Sequence, residues 1–343
     1  MLLSSDYATP AELTGYVRAA QADLDANRFT LSRWLPSRMV DDLEYRFTRG
    51  GEGLIEAATF RAYDAESPIG ARPGVTRVSG ELPPISRKVR LGEYDRLRQR
   101  RLTGEIRSAI LTDAERMARS VAARLELARG QALVEGQVVI DENGVMATVD
   151  YGRSAGHTVT AATPWSDTVN ATPLADMLAW RDTYVASNGE RPGVAVISTV
   201  VLGYLLRNAE IRELAATLVG TPSIVSETAL GQVLSAHGLP PFEVYDAQIR
   251  VGGAAQRIIP VDRFLYLPEP GDPTDPDSSD LGGSLWGTTA EALEQGYGLA
   301  GEEPGVVAGA YSTEDPVAVW TKASAVALPV LANPDLSFTA DVA

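Results

Sequence analysis

Residues 102–135, LTGEIRSAILTDAERMARSVAARLELARGQALVE, decide how the rest of the chain is read. Ile106, Ile110, Ala114, Met117, Val121, Leu125, Ala128 and Ala132 recur at spacings of three and four, the period of one apolar helix face. Arg107, Glu115, Arg116, Arg119, Arg124 and Glu126 fill the other face, which is expected to be wet. Thr103 is a plausible N-cap with Glu105 in the first turn, proline is absent, and Gly136 follows the last periodic residue. At about 1.5 Å per residue, such a helix is a rod on the order of 45 Å long. A rod of that length needs a sheet to back.

Downstream, Val138-Val139-Ile140 and residues 145–149 (VMATV) flank Asn143-Gly144, a strong hairpin signal. The hairpin is expected to cover the apolar stripe of the helix. Upstream, residues 40–91 change to short extended runs, at 43–47, 54–63, 75–78 and 85–91, separated by Gly50-Gly51, Ser67-Pro68, Arg72-Pro73-Gly74 and Pro83-Pro84. Strands this short bury little by themselves, so the stretch reads as a long hairpin excursion that packs on something outside it. Its cations, Arg61, Arg72, Arg77, Arg87, Lys88 and Arg90, make it a basic flap on an acidic chain, suited to docking on another copy. Residues 1–38 read as an extended arm with one short helix opened by Thr9-Pro10. Trp34 and Leu35 then need a partner surface, either this chain's own core or a neighbour's.

A second lobe is expected from about Trp165 to Tyr311. Helices are read at 172–187, 199–207, 211–218 and 228–237, and strands at 194–197, 242–245, 258–259 and 264–267. Its most irregular piece is the acidic, proline-rich loop 268–279, PEPGDPTDPDSS. The chain ends on further extended runs at 317–320 and 325–331, expected to rejoin the sheet behind the long helix.

The 343 residues exceed what one core usually organises, which favours two lobes. A hydrophobic fraction of 45% with 22% charged residues is that of an ordinary globular protein, not a disordered one. The chain has no cysteine, which removes disulfides, thiolate metal sites and a cysteine nucleophile. A net charge of −15 argues against a dedicated nucleic-acid binder, whose affinity needs a basic stripe. The N-terminus lacks a signal-peptide pattern, and the longest apolar stretch, 193–206, is too short to span a bilayer, so a soluble cytoplasmic protein is expected.

The sharpest catalytic match is Gly152-Arg153-Ser154-Ala155-Gly156, a G-x-S-x-G after an expected strand. A nucleophile elbow would require a helix at once, whereas His157-Thr158-Val159-Thr160 prefers strand, so a connecting turn is the plainer reading. Only His157 and His237 could serve as base. Asp272, Asp275, Asp277 and Asp280 suggest a calcium loop, but their spacing lacks the EF-hand pattern and its terminal Glu, so no metal site is assigned. An isopeptide bond between Lys88 and Asn333 of neighbouring copies has no specific support in the sequence.

The stretches 80–101, GELPPISRKVRLGEYDRLRQRR, and 315–342, DPVAVWTKASAVALPVLANPDLSFTADV, resemble major capsid proteins of tailed bacteriophages, the lambda-type major head protein group, in the form met in phages of actinobacteria. The resemblance implies an α+β HK97-type capsid fold. Residues 1–39 would be an N-terminal arm and 40–92 an extended β-loop reaching over a neighbour. Residues 93–164 would be a peripheral domain around the spine helix 102–135, and 165–311 an axial domain at the capsomer axis. Residues 312–343 would return to the peripheral domain. The function implied is a structural one, without catalysis, cofactor or metal: hexamers and pentamers forming an icosahedral head around double-stranded DNA held without sequence-specific binding. Expected partners are other copies, a separate scaffold, a portal and, optionally, a decoration protein, with assembly in the bacterial host cytoplasm and no membrane. Subunit contacts would fall on Arg61, Arg72, Arg77, Arg87, Lys88, Arg90 and Trp34. Two alternatives stand beside it: a cytosolic hydrolase using Ser154, and an encapsulin-like compartment, which shares the fold and would enclose cargo protein.

Overall fold

Helix α2, Thr103–Glu135, runs 33 residues without a break in a computed structural model that describes residues 2–3, 8–49, 76–94, 103–142, 144–216, 220–299, 304–315 and 317–343. Its length follows from the absence of proline, and it ends where Gly136 takes φ +69°, a conformation that other residues adopt at a cost. Ahead of it lie β1 (Leu2–Leu3), α1 (Pro10–Asn27), β2 (Ser37–Met39), β3 (Glu44–Arg49), β4 (Thr76–Glu81) and β5 (Pro84–Leu91). Helix α1 opens as the sequence suggests, with the Thr9 side chain accepting from the Glu12 amide and Pro10 in its first turn. At 18 residues it is far longer than the short helix expected, and Leu13, Thr14 and Val17 bury it against α2 and the sheet.

After α2 come the hairpin β6 (Gln137–Glu142) and β7 (Val145–Asp150), then β8 (Thr158–Thr160), α3 (Pro173–Asn188), β9 (Val194–Ile197), α4 (Thr199–Arg207), α5 (Ala209–Leu214) and α6 (Glu227–Ala236). The chain continues through β10 (Phe242–Val244), β11 (Gln248–Val251), β12 (Ala254–Arg257), β13 (Arg263–Leu267), β14 (Gly282–Gly287) and α7 (Ala290–Leu293). It ends with β15 (Val307–Glu314), β16 (Val317–Leu331) and β17 (Phe338–Asp341). A six-stranded sheet has the order β1-β15-β16-β14-β2, with β5 also paired to β16. A five-stranded sheet has the order β10-β9-β13-β17-β8, and three isolated hairpins are β3-β4, β6-β7 and β11-β12.

Strand β16 divides two cores. Val319, Ala323, Ala325 and Ala327 point to a smaller core that holds Leu13 and Val17 of α1 and Ile110, Ala114, Met117, Val121 and Leu125 of α2. Val326, Leu328 and Val330, on the alternate positions, belong to a larger core shared with the second lobe and with Ala128, Ala132 and Leu133 of α2. The small side chains on both surfaces let helix and strand approach closely. In the larger core the rings of Trp165, Trp180, Phe264, Tyr266 and Phe338 pack at centroid distances of 4.7–6.2 Å, Trp165 and Trp180 stacked and the other pairs tilted or edge-on.

Four differences from the sequence reading have plain causes. The β6-β7 hairpin forms as expected, but it covers only the end of the helix stripe, where Val138 packs with Ala128 and Ala132; β16 and α1 cover most of it, and the hairpin projects with Met146 81% exposed. The run 85–91 is not part of the excursion, because its alternating Ile85, Val89 and Leu91 pack on the smaller core and its backbone pairs with β16. The terminal runs separate: β16 joins the sheet behind α2, while β17 enters the second lobe's sheet between β13 and β8. Finally, 317–320 and 325–331 are one strand of 15 residues, since Lys322 and Ser324, which interrupt the apolar pattern, face Glu291. The expected strand at 54–63 lies outside the described residues.

Candidate assembly surfaces and the ionic hub

Glu126 was read from the helix period as part of the wet face, yet both it and Arg129 are fully buried. They sit where the stripe of α2 passes from the smaller core to the larger. One Glu126 oxygen accepts from the Leu31 amide at 3.0 Å and the Tyr245 hydroxyl at 2.6 Å, and the other accepts from Arg129 at 3.1 Å. Arg129 in turn donates to Asp25 at 2.8 Å and to Ser284 at 2.8 Å, and the Ser284 hydroxyl donates to the Leu35 carbonyl. Five segments therefore meet at two side chains: the end of α1, the turn after it, α2, the loop after β10, and β14. Burial raises the Glu126 pKa, partly offset by Arg129, Tyr245 and the Leu31 amide. Burial alone would lower the Arg129 pKa, but Asp25 and Glu126 more than reverse it. The hub fixes relative placement; a period cannot show this, because partners of a buried charge are distant in sequence.

The G-x-S-x-G stretch is a helix stop. Arg153 donates to the Leu133 carbonyl at 2.7 Å and the Val134 carbonyl at 2.6 Å, satisfying carbonyls that the last turn of α2 leaves open. Burial lowers its pKa to about 10, against the opposing pull of Asp335 and Glu135. Ser154 lies at φ −57°, ψ 138°, an unstrained extended conformation, and both its amide and its hydroxyl donate to the Asp335 carboxylate at 2.7 Å. A three-residue turn and a strand follow, not a helix. His157 Nε2 pairs with the Ser187 hydroxyl at 2.9 Å, and His237 Nδ1 with the Val233 carbonyl at 2.8 Å, so neither observed bond is to Ser154. Burial lowers the His157 pKa, with Asp335 opposing.

Loop 268–279 is organised by its own turns. Asp272 accepts from the Thr274 amide and hydroxyl at 2.8 and 2.7 Å, Asp275 from the Asp277 amide at 3.0 Å, and Asp277 pairs with Arg38. Among the described residues, no group of three or more His, Asp or Glu could hold a metal ion, and no helix is long and apolar enough to cross a membrane.

Trp34 lies in this chain's own core, fully buried, with its indole N–H donating to the Pro268 carbonyl at 2.9 Å and the Arg33 guanidinium over its ring. That resolves the choice the sequence left open and withdraws Trp34 from the contact candidates. Arg87, Lys88 and Arg90 are exposed along β5. Arg87 donates to the Ser120 hydroxyl of α2, and the Lys88 ammonium lies 4.7 Å from the Trp320 ring centroid. Arg77 lies on β4, its backbone opposite Thr48. Arg61 and Arg72 fall outside the described residues. The side-chain amide of Asn333 donates to the Asp280 carbonyl at 2.8 Å.

Beside β5 runs a groove of about 930 Å³ between α2 and the isolated hairpins β6-β7 and β11-β12. Among the described residues, Arg28, Arg87, Arg119, Arg124 and Arg250 line it with a single acid, Glu142, over apolar side chains that include Ile85, Leu127 and Ile140.

Comparison with known proteins places this geometry. A family model described as phage major capsid protein E matches residues 11–342. A search of curated proteins finds no match. Among solved structures, the chain is similar to a prophage protein of Escherichia coli CFT073 assigned as its capsid protein, at 17% identity and TM-score 0.57, over 80% of this chain and 82% of that one. It is also similar to a phage-related protein from Bordetella bronchiseptica RB50, at 12% identity and TM-score 0.59, over 94% of this chain and 96% of that one.

Proposed function

The chain belongs to the phage major capsid protein E family, a major capsid protein and virion component whose copies build the head shell, and on that premise we propose how it does so. Hexamers and pentamers close an icosahedral shell around double-stranded DNA, with a separate scaffold, a portal and an optional decoration protein as partners. Assembly takes place in the host cytoplasm. The division into arm (1–39), β-loop (40–92), peripheral domain (93–164), axial domain (165–311) and returning strands (312–343) is the working description, amended in that β5 leaves the loop for the sheet behind α2 and β17 joins the five-stranded sheet. Arg61, Arg72, Arg77, Arg87, Lys88 and Arg90 dock on neighbouring copies.

The observation that carries this reading is the family match over nearly the whole chain, on a molecule whose polar constellations are structural. Ser154 holds Asp335, the hub holds the lobes in place, and the open features are surfaces. The chain acts without catalysis: a shell protein needs complementary faces, not a reactive pocket. Size-exclusion chromatography with negative-stain microscopy of the protein produced with its head partners tests the reading. Capsomers or shells are expected. A small oligomer that hydrolyses esters and loses that activity in Ser154→Ala would replace it, and shells filled with an enzyme instead of DNA would make it a compartment.

A further inference from the structure

The chain carries 45 acidic against 30 basic residues, so a groove lined by five arginines and one acid departs from the composition of its own surface. The exposed guanidinium of Arg250 stands on β11, Arg28 at the end of α1, Arg87 on β5, and Arg119 on α2. Arg124 pairs with Glu142 at 3.3 Å across the floor. The floor is apolar, and among the described residues the two hairpins that wall it pair only with themselves, so each wall is a two-stranded ribbon of marginal intrinsic stability. A ligand for such a groove needs carboxylates around an apolar side chain.

The same chain presents that combination at the root of its β-loop. Asp41, Asp42, Leu43 and Glu44 are consecutive and exposed, and the β3-β4 register brings the exposed Glu81 opposite Glu44. Leu43 stands 55% exposed among these carboxylates, with Met39 59% exposed nearby in sequence. The knob does not line the groove of its own chain.

We propose that this knob, Asp41 to Glu44 with Glu81, docks in the arginine-lined groove of a second copy. The occupant is another subunit because shell copies contact one another and because the knob supplies both the negative charge that complements the arginines and an apolar side chain to lie on the apolar floor. Duplex DNA is the poorer fit, since its phosphates offer nothing to the apolar floor. The contact is heterologous: each copy offers a knob to one neighbour and a groove to another, the arrangement that closes rings when the rotation allows. It rests on the capsid reading, and its polarity is opposite to a basic flap on an acidic body, because in the described residues the loop root is acidic and the receiving surface basic.

Charge exchange tests it. The knob variant Asp41→Arg with Glu81→Arg, and the groove variant Arg87→Glu with Arg250→Glu, should each lower the yield of particles by about tenfold or more, while circular dichroism and the melting temperature of free subunits stay unchanged. The four-fold variant should recover most of that yield. Normal assembly of either pair, or a four-fold variant as defective as the pairs with folded subunits, overturns the proposal. A groove variant that assembles but loses packaged DNA assigns the groove to nucleic acid instead. Because the chain has no cysteine, Leu43→Cys gives a single thiol. Maleimide should label it about tenfold more slowly in particles than in free subunits, and equal rates would also overturn the contact, even if the charge variants fail to fold. Absence of wild-type particles would count against the capsid reading itself, a separate outcome.

Discussion

At the scale of single residues, the most consequential side chains are two that the sequence disguises. Glu126 lies on the apolar side of α2, four residues from Ala122, but a carboxylate among arginines reads as solvated; only its partners Leu31, Tyr245 and Arg129 reveal it as interior. A buried ion pair is weak evidence for stability in itself, since its desolvation offsets most of the attraction, but removing one member strands the other. Glu126→Ala should therefore cost about 3–5 kcal/mol, visible as a lower urea midpoint of the free subunit. The conservative Glu126→Gln, which keeps an acceptor for Leu31 and Tyr245, should recover part of the loss. An unchanged midpoint in Glu126→Ala would show that the hub contributes nothing. Ser154 was misleading in the other direction: its motif suggests chemistry, while its hydroxyl and amide serve one carboxylate that pins the 3₁₀ turn after β7 to the segment before β17.

Among elements, legibility followed periodicity. Helix α2 was readable to within a residue, α4 at both ends, and the β6-β7 hairpin from Asn143-Gly144, because each has an uninterrupted pattern or a turn that demands glycine. Strand β14, GGSLWG, was missed since its glycines carry no strand signal; a Cβ at Gly282 would come within 2.1 Å of the Val330 carbonyl oxygen, so the close pairing with β16 requires that glycine. Strands β11 and β12 were missed because QIRV alternates over only four residues and AAQR does not alternate at all, and both are exposed for most of their length. Gly130 makes a test of packing against propensity. In mid-helix it is the weaker helix former by about 0.5–1 kcal/mol, so Gly130→Ala should stabilise on propensity alone. The added Cβ would stand 2.5 Å from Ile258 Cγ2 and 2.7 Å from its carbonyl oxygen, at the point where the second lobe touches the helix. Overpacking of that kind costs about 1–3 kcal/mol, and a lower melting temperature is expected. A raised one would mean that the lobe is free to move away.

For the whole molecule, the two cores meet at a strand, not at a linker: β16 faces the smaller core with one side and the larger with the other, and β17 continues into the five-stranded sheet. Sequence pattern shows which residues are buried and not which core they enter. Reversal of Arg72, Arg77 and Arg87 to Glu is expected to impair shell formation about tenfold while leaving folded subunits, read by sedimentation of particles; normal particles would sink the docking role given to those cations. The two longest elements are matched: 33 residues of helix and 15 of strand both come to roughly 50 Å at the usual rises. A strand is already extended and cannot lengthen without losing its ladder, whereas a helix resists shortening. Packed side by side, β16 serves as a tie and α2 as a strut, so the pair resists both extension and compression along one long axis of the molecule.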